Sequence, residues 1–295
     1  MRKIKHFLEA AFLVVLLLIF KIMPLDMASA VGGGMGRMVG TRLGASRKAL
    51  QNIKKVFPAL SETECQKILV GMWDNLGRIM AEYPHLEKIG KQRVTIQGSD
   101  TVMQFLKEGK PCMMIAGHLG NWEIAAAAML AQFSRPLDLT YRAPNNPLVD
   151  NLLMSMRKLR GQIRCYPKSR DGGQAIIKAM REGRYLAILI DQKYNEGIAV
   201  PFFGSPAMTN PAFIQLGRKF NYPIVPAQIM RIKGANFKIT LYDPLAVEDH
   251  TNEQVIEQAH HFLENWILQN PPQWLWLHKR WDSKKLESRN IKKSK

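Results

Sequence analysis

Residues 115–123 read Ile-Ala-Gly-His-Leu-Gly-Asn-Trp-Glu, and this stretch predicts the fold around it. The apolar residues 113–116 are typical of a short buried strand, which a glycine ends. From Asn121 onward the sequence is rich in helix formers, so Asn121 is a predicted N-cap and Glu123 lies in the first helical turn. His118 is then placed just past the C-terminal end of a strand, the edge at which open α/β sheets bind ligands.

The spacing of His118 and Glu123 predicts that the two side chains are hydrogen-bonded. An imidazole has nearly the right basicity to act as a base at neutral pH, and a carboxylate on its other nitrogen fixes the tautomer. The alternative is a structural histidine at a strand end, beside a glutamate favoured by the helix dipole. Glycines on both sides of His118 clear space for a ligand and favour the catalytic interpretation.

The motif at residues 117–123 resembles the His-x4-Asp/Glu signature of the glycerolipid acyltransferase superfamily. It has the glutamate form found in the lipid A late acyltransferases (lauroyl and myristoyl transferases) of Gram-negative bacteria. Further matching blocks follow in the same order, at residues 141–147, at Asp191-Gln192 with 200–204, and at 272–281. Phosphatidylinositol mannoside acyltransferases are similar too, so the resemblance leaves the acceptor open.

This resemblance implies a membrane-associated O-acyltransferase at the cytoplasmic face of the inner membrane. The donor would be acyl-acyl carrier protein or acyl-coenzyme A, and the acceptor a hydroxyl of a phosphorylated glycolipid such as a lipid A precursor. His118 would be the general base and Glu123 would orient it, with no acyl-enzyme intermediate. An acceptor such as a phosphatidylinositol mannoside, or another glycolipid or lysolipid, is the alternative.

Several polar residues are candidates for substrate binding. A guanidinium offers two donors to a phosphate or an oxyanion, which makes Arg142, Arg157 and Arg160 candidates. Asp191 and Gln192 follow a predicted buried strand, where an unpaired aspartate would be costly, so Asp191 either pairs with an arginine or binds substrate.

The family blocks also indicate Asn121 and Tyr141 as substrate contacts. Phe202 and Phe203 stand between a proline and a glycine and suit the wall of an acyl-chain pocket, although core packing is the alternative.

We expect neither a cofactor nor a metal site. The sequence has no Gly-x-Ser-x-Gly elbow, phosphate-binding loop, dinucleotide fingerprint or His-Glu-x-x-His helix. His260 and His261 are predicted to lie on a solvated helix face. The three cysteines lack the spacing of a zinc site or a disulfide framework, which favours a reducing compartment.

The positive charge is concentrated at the two ends of the chain. The 295 residues carry a formal net charge of +18, which indicates anionic partners. Residues 1–55 hold ten Lys and Arg against two acidic residues, and residues 284–295 hold six against one. Because the N-terminal charges flank apolar sequence, they favour a membrane surface over nucleic acid, and we expect no nucleic-acid binding.

The apolar residues 7–25 are interrupted by Glu9 and Lys21, which leaves too short a run for a perpendicular span of about 20 residues. A helix in the cytoplasmic leaflet is the preferred interpretation, a tilted span the second, and a cleaved signal peptide the third.

After this apolar segment, small residues recur every four positions, at Ala28 and then at glycines 32, 36, 40 and 44. On a helix this stripe predicts close packing against another helix, with a flexible linker as the alternative.

Alternating apolar runs and helical periods predict an α/β fold with a mostly parallel sheet covered by helices on both faces. Predicted strands are 94–97, 113–116, 137–141, 186–190, 224–230 and 237–241; predicted helices are 100–107, 148–160, 173–182, 211–220 and 252–270. A capping box at residues 61–64 predicts a further helix. The predicted organisation is a membrane anchor (1–30), a helical cap (31–90), a catalytic domain (91–283) and a basic tail (284–295).

Overall fold

The structure is a computed structural model and describes residues 2–281. The basic residues 284–295, predicted as a tail, lie outside the described residues. The helices before the first strand are α1 (Arg2–Ile22), α2 (Leu25–Met35), a π-helical turn (Gly36–Gly40), α3 (Ala45–Val56), α4 (Glu62–Glu82), a 3-10 turn (Tyr83–His85) and α5 (Leu86–Gln92).

Strands and helices alternate in the remainder of the described chain. The elements are β1 (Val94–Gly98), α6 (Asp100–Glu108), β2 (Met113–Ala116), a 3-10 turn (Trp122–Ile124), α7 (Ala125–Phe133), β3 (Leu137–Tyr141), α8 (Pro147–Arg157), β4 (Cys165–Pro167), α9 (Arg170–Arg181), β5 (Tyr185–Leu189), β6 (Ile198–Phe202), β7 (Ser205–Thr209), α10 (Ala212–Phe220), β8 (Ile224–Lys233), β9 (Asn236–Leu241), α11 (Asn252–Gln269) and a 3-10 turn (Pro271–Gln273).

Seven of these strands form one sheet in the order β1-β9-β8-β2-β5-β3-β4. Every neighbouring pair is parallel except β8 and β9, which form an antiparallel hairpin. Strand β2 lies at the centre, between β5 and β8. The predicted mostly parallel sheet is therefore confirmed.

Helices cover both faces of the sheet, and the alternating side chains of β2 show the two cores. Met113 and Ile115 belong to a core shared with α9, α10 and α11, whereas Met114 and Ala116 belong to a core shared with α5, α6 and α7. All four residues are buried, which is why the strand reads as a continuous apolar run.

Three strands of the described residues, β4, β6 and β7, were missed by the sequence analysis. Strand β4 has only three residues, and the separate hairpin of β6 and β7 contains Pro201 and Pro206, which weaken the sequence signal of a strand. The predicted capping box is confirmed, because the Ser61 hydroxyl accepts from the Glu64 backbone N–H while the Glu64 carboxylate accepts from the Ser61 N–H.

The stripe of small residues packs closely against α4, which confirms four of its five positions. A Cβ added to Gly32 would lie 2.5 Å from both the Ala81 Cβ and the Gly77 carbonyl oxygen. A Cβ on Gly36 or Gly40 would collide with Trp73. Gly44 lies outside the contact, since nothing stands within 4 Å of its added Cβ.

The N-terminal helices carry many exposed apolar side chains, which we call the apolar N-terminal surface. They are Ile4, Phe7, Leu8, Phe12, Val14, Val15, Leu18, Ile19, Ile22, Met27, Val31, Met38, Val39 and Leu43. The opposite side of α1 is packed through Leu17 and Phe20. Within residues 2–281, no helix combines the length and the apolarity that crossing a bilayer requires.

The packing of α2 on α4 predicts opposite effects for two substitutions in the same helix. Gly32→Ala should lower the free energy of unfolding by about 1–3 kcal/mol, because the methyl group has no room. Gly34→Ala should raise it by up to about 1 kcal/mol through helix propensity, since the nearest atom to its added Cβ is the end of Arg37, 3.8 Å away. Chemical denaturation measures both values, and a Gly32→Ala protein as stable as Gly34→Ala would contradict the packing.

Candidate active site

The loop that follows β2 is held in one conformation by the segment after α11. The His118 carbonyl oxygen accepts from the Leu275 N–H at 3.0 Å, and the Gly120 N–H donates to the Gln273 carbonyl at 3.2 Å. Gly120 has a φ of +56°, and a Cβ there would lie 2.4 Å from the Ile229 carbonyl oxygen. A glycine is therefore required at this position by both backbone conformation and space.

His118 is paired with Asp191. The parallel register matches Ala116 to Leu189, and continuing it two residues further places His118 level with Asp191. The Asp191 Oδ1 atom lies 2.7 Å from Nδ1 of His118, and its Oδ2 accepts from the His118 backbone N–H at 2.8 Å. The Trp274 indole N–H also donates to Oδ2, at 2.8 Å.

The predicted hydrogen bond between His118 and Glu123 is wrong. A 3-10 turn at Trp122–Ile124 precedes α7, and the Trp122 ring packs edge-on against His118 with 4.9 Å between centroids. The Trp122 indole N–H donates to Glu123 Oε1 at 3.0 Å. Both residues face the same cavity, but the imidazole binds the aspartate of the neighbouring strand instead.

Asp191 is ionised although it is buried. Burial favours its neutral form, but the charge of His118 and the hydrogen bonds from His118 and Trp274 outweigh burial and lower the pKa of Asp191 below its usual range. A carboxylate only accepts, so Nδ1 of His118 must donate, and in the neutral form of the ring the lone pair then lies on Nε2.

Gln192 and His278 complete the surroundings of that lone pair. The Gln192 amide Nε2 lies 3.1 Å from His118 Nε2 and 2.8 Å from His278 Nε2, so one NH₂ group can donate to both rings. Burial first, and then the charge of His118, lower the pKa of His278. His278 was missed by the sequence analysis, although it lies in the block at residues 272–281.

Glu123 forms an ion pair with Arg157 instead of contacting His118. The Arg157 Nε–H donates to Glu123 Oε2 at 2.7 Å, and a second guanidinium nitrogen donates to Oε1 and to the Tyr83 hydroxyl. Burial opposes the charge of Arg157, but Glu123 more than offsets this and raises the pKa of Arg157. Burial and then Glu123 raise the pKa of Tyr83, so its hydroxyl stays protonated.

A cavity of about 490 Å³ opens in front of His118. Its polar end holds residues that sequence analysis proposed, namely Tyr141, Arg142, Arg157 and Gln192, together with His278 and Lys168. Its interior is apolar and runs over one face of the central strands beneath α4, α7 and α8. This lining consists of Leu76, Ile79, Met80, Met114, Ala116, Met129, Leu137, Leu139, Leu153, Ala187, Leu189, Ala227, Ile229 and Ile239.

Five predicted substrate contacts lie outside this cavity. Asp191 was predicted to pair with an arginine or to bind substrate, and its partners are His118 and Trp274 instead. Arg160 is exposed and pairs with Glu87 at 3.4 Å. Asn121 is fully buried, so its side chain serves the loop instead of a ligand. Phe202 and Phe203 pack in the aromatic cluster with Trp281, and Phe202 has no exposed surface.

The predicted solvated position of His260 is also wrong, whereas His261 is exposed. His260 is buried, with Nδ1 2.7 Å from the Pro201 carbonyl oxygen and Nε2 2.9 Å from both the Thr209 hydroxyl and Arg280. The hairpin of β6 and β7, which sequence analysis missed, supplies Pro201 and Thr209, and Arg280 comes from the segment after α11. Among residues 2–281, no cluster of three His, Cys, Asp or Glu side chains has the arrangement of a metal site.

Comparison with known proteins supports the family resemblance that the four sequence blocks indicated. The chain is 27% identical over 259 residues, or 82% of its length and 77% of the relative's, to lipid A biosynthesis acyltransferase 1 of Shigella flexneri. It is 26% identical over the same coverage to the lipid A biosynthesis myristoyltransferase of Escherichia coli K12. It is 22% identical to the lauroyltransferase of that strain, over 89% of this chain and 87% of the relative.

A family profile, described as bacterial lipid A biosynthesis acyltransferase, matches residues 1–283. The match includes the loop with His118, the strand end with Asp191 and the segment with His278. The chain is therefore an acyltransferase and belongs to the bacterial lipid A biosynthesis acyltransferase family.

Proposed function

We propose that this acyltransferase moves a fatty acyl chain from acyl-acyl carrier protein to a hydroxyl of a phosphorylated lipid A precursor. The observation that carries the proposal is the position of His118, whose Nδ1 is bound to Asp191 and whose Nε2 faces a cavity with a basic polar end and an apolar interior. The apolar interior suits the acyl chain of a thioester, and the basic polar end suits the phosphate groups of an acceptor.

His118 acts as general base and Asp191 orients it. The acceptor hydroxyl gives its proton to Nε2 as its oxygen attacks the thioester carbonyl carbon, which places negative charge on the carbonyl oxygen. When that intermediate collapses, the new ester remains and the thiolate departs with the bonding electron pair. The imidazolium, which Asp191 stabilises, returns its proton to the thiolate.

The cationic side chains have two separate roles. Arg157 stabilises the developing charge on the carbonyl oxygen, and Glu123 with Tyr83 keeps its guanidinium in place. Arg142 and Lys168, exposed at the polar end of the cavity, bind phosphate groups of donor or acceptor. Arg160, which lies outside the cavity, has no part in this proposal.

The acyl chain occupies the apolar interior beneath α4 and α7. The wall of the acyl-chain pocket is therefore formed by the residues that line this interior, and not by Phe202 and Phe203 as predicted from the sequence. The basic composition of the protein suits an acidic carrier protein as donor, with acyl-coenzyme A as the alternative.

The apolar N-terminal surface holds the protein at the cytoplasmic face of the inner membrane. Phe7 and Phe12 are 63% and 70% exposed, and basic residues such as Lys3 and Lys5 flank them. The Asn146 amide N–H groups donate to the His6 carbonyl and to Glu9, so α1 lies beside the loop at the polar end of the cavity. A lipid acceptor in the membrane is therefore close to the site.

Purified protein should add one acyl chain to a phosphorylated lipid A precursor when supplied with acyl-acyl carrier protein, as mass spectrometry of the lipid would show. His118→Ala and Asp191→Asn should each lower turnover by at least about 10²-fold, the lower end of the range for losing a general base. His261→Ala is the control, because that histidine is exposed.

Parallel reactions with acyl-coenzyme A and with a phosphatidylinositol mannoside acceptor test the alternatives. Near-normal turnover by a folded His118→Ala protein would refute the assignment of the base. Transfer to the mannoside but not to the lipid A precursor would refute the proposed acceptor.

Glu123→Gln should lower turnover about 10- to 100-fold, because a misplaced catalytic group costs this much. The substitution keeps the shape of the side chain but removes the charge that holds Arg157. Steady-state kinetics should show the loss mainly in kcat. The matched control is Glu87→Gln, which weakens the exposed ion pair with Arg160; an equal loss in both variants would contradict a specific role for Glu123.

Removing two aromatic rings from α1 should weaken membrane binding. The double variant Phe7→Ser/Phe12→Ser should bind anionic phospholipid vesicles at least about tenfold more weakly, since each buried aromatic ring contributes about 1.5–3 kcal/mol. Vesicle co-sedimentation measures this affinity. Leu268→Ser, which removes an exposed apolar side chain from α11, is the control; unchanged binding of the double variant would contradict the proposed surface.

A further inference from the structure

Glu82, the last residue of α4, is a fully buried carboxylate outside the cavity. The C-terminal end of a helix disfavours negative charge, and burial adds a further cost, so this carboxylate needs strong partners. Arg231 of β8 donates to both of its oxygens. The Ser29 hydroxyl of α2 donates to Oε1 at 2.7 Å, and the Asn121 amide donates to Oε2 at 2.7 Å.

Asn121 carries this interaction into the active-site loop. Its other amide atom, Oδ1, accepts from the Glu123 backbone N–H at 3.1 Å. Gly120, the residue before Asn121, is also connected to Arg231, through Asn75. The Asn75 amide donates to the Gly120 carbonyl at 2.8 Å, and Asn75 Oδ1 accepts from Arg231 at 2.9 Å. The backbone between His118 and Glu123 is therefore tied to the Glu82 and Arg231 pair.

Tyr83, the residue after Glu82, contacts the charged partner of Glu123. Its hydroxyl accepts from Arg157 at 2.7 Å, and Arg157 pairs with Glu123. Two consecutive residues at the end of α4 thus position Glu123 from its backbone and from its charged partner.

We propose that Glu82 is a positioning residue for the active-site loop and acts through Asn121. A carboxylate only accepts hydrogen bonds, so it forces the NH₂ group of Asn121 toward itself and the oxygen toward the Glu123 N–H. A neutral amide in place of Glu82 either donates or accepts, and the orientation of Asn121 is then no longer dictated. The proposal rests on the proposed function, because transfer turnover is its readout.

Variants that remove the charge or the amide separate this role from plain stabilisation. Glu82→Gln and Asn121→Ala should each lower kcat about 10- to 100-fold, with KM changed by less than about threefold, because the loop is misplaced while the cavity walls remain. In the Glu82→Gln/Asn121→Ala double variant, kcat should be at most about threefold lower than in the slower of the two single variants. The reason is that both substitutions break the same connection.

Ser29→Ala is the matched control, because it removes a different hydrogen bond from the same carboxylate. It should leave kcat within about threefold of the wild-type value. Turnover is expressed per folded molecule, at a temperature well below unfolding. If Glu82→Gln does not fold because Arg231 loses its partner, Asn121→Ala alone decides, since it leaves that ion pair intact.

The proposal is overturned by normal kcat in folded Glu82→Gln or Asn121→Ala, by multiplicative losses in the double variant, or by an equal loss in Ser29→Ala. If the wild-type protein itself transfers no acyl chain, the proposed function fails instead.

Discussion

The hydrogen bond between His118 and Asp191 depends on two central parallel strands that end at the same level. Because β2 and β5 are in register, residues at matching positions beyond the strand ends face each other. The same carboxylate accepts from the His118 backbone and from Trp274, so one anion fixes the imidazole, the start of the loop and the segment after α11. Losing it would leave three buried or partly buried donors without this partner, which is costly.

The apolar runs allowed most of the sheet to be predicted. Strands β2 and β3 match their predicted bounds, because each is a compact run that differs from the helical segments around it. The partner of His118 was harder to identify. Asp191 was expected at a strand end, but pairing it with His118 requires the order of the strands, which local sequence does not contain. Glu123 is nearer in the sequence and is therefore the predicted partner, but it lies in a 3-10 turn, where it binds Trp122 and Arg157.

Buried charges explain the other errors. His260 is predicted to be solvated because Glu257 and Glu264 alone stand near it as acidic partners and do not make a metal site. Two of its actual partners, Pro201 and Thr209, come from a hairpin whose prolines weaken the sequence signal of a strand. Glu82, for which the sequence offered no prediction, is fully buried against Arg231. Such pairs join distant parts of the chain, so sequence patterns of period two or 3.6 cannot reveal them.

The protonation state of His118 is the most direct test of the account. Nitrogen NMR of protein labelled with ¹⁵N-histidine, assigned with a His118→Ala variant, distinguishes the two neutral tautomers of the ring. The account predicts a proton on Nδ1, bound to Asp191, and a lone pair on Nε2, and it predicts that Asp191→Asn alters this preference. A neutral ring with its proton on Nε2 in the wild-type protein would contradict it, because no base would then face the cavity.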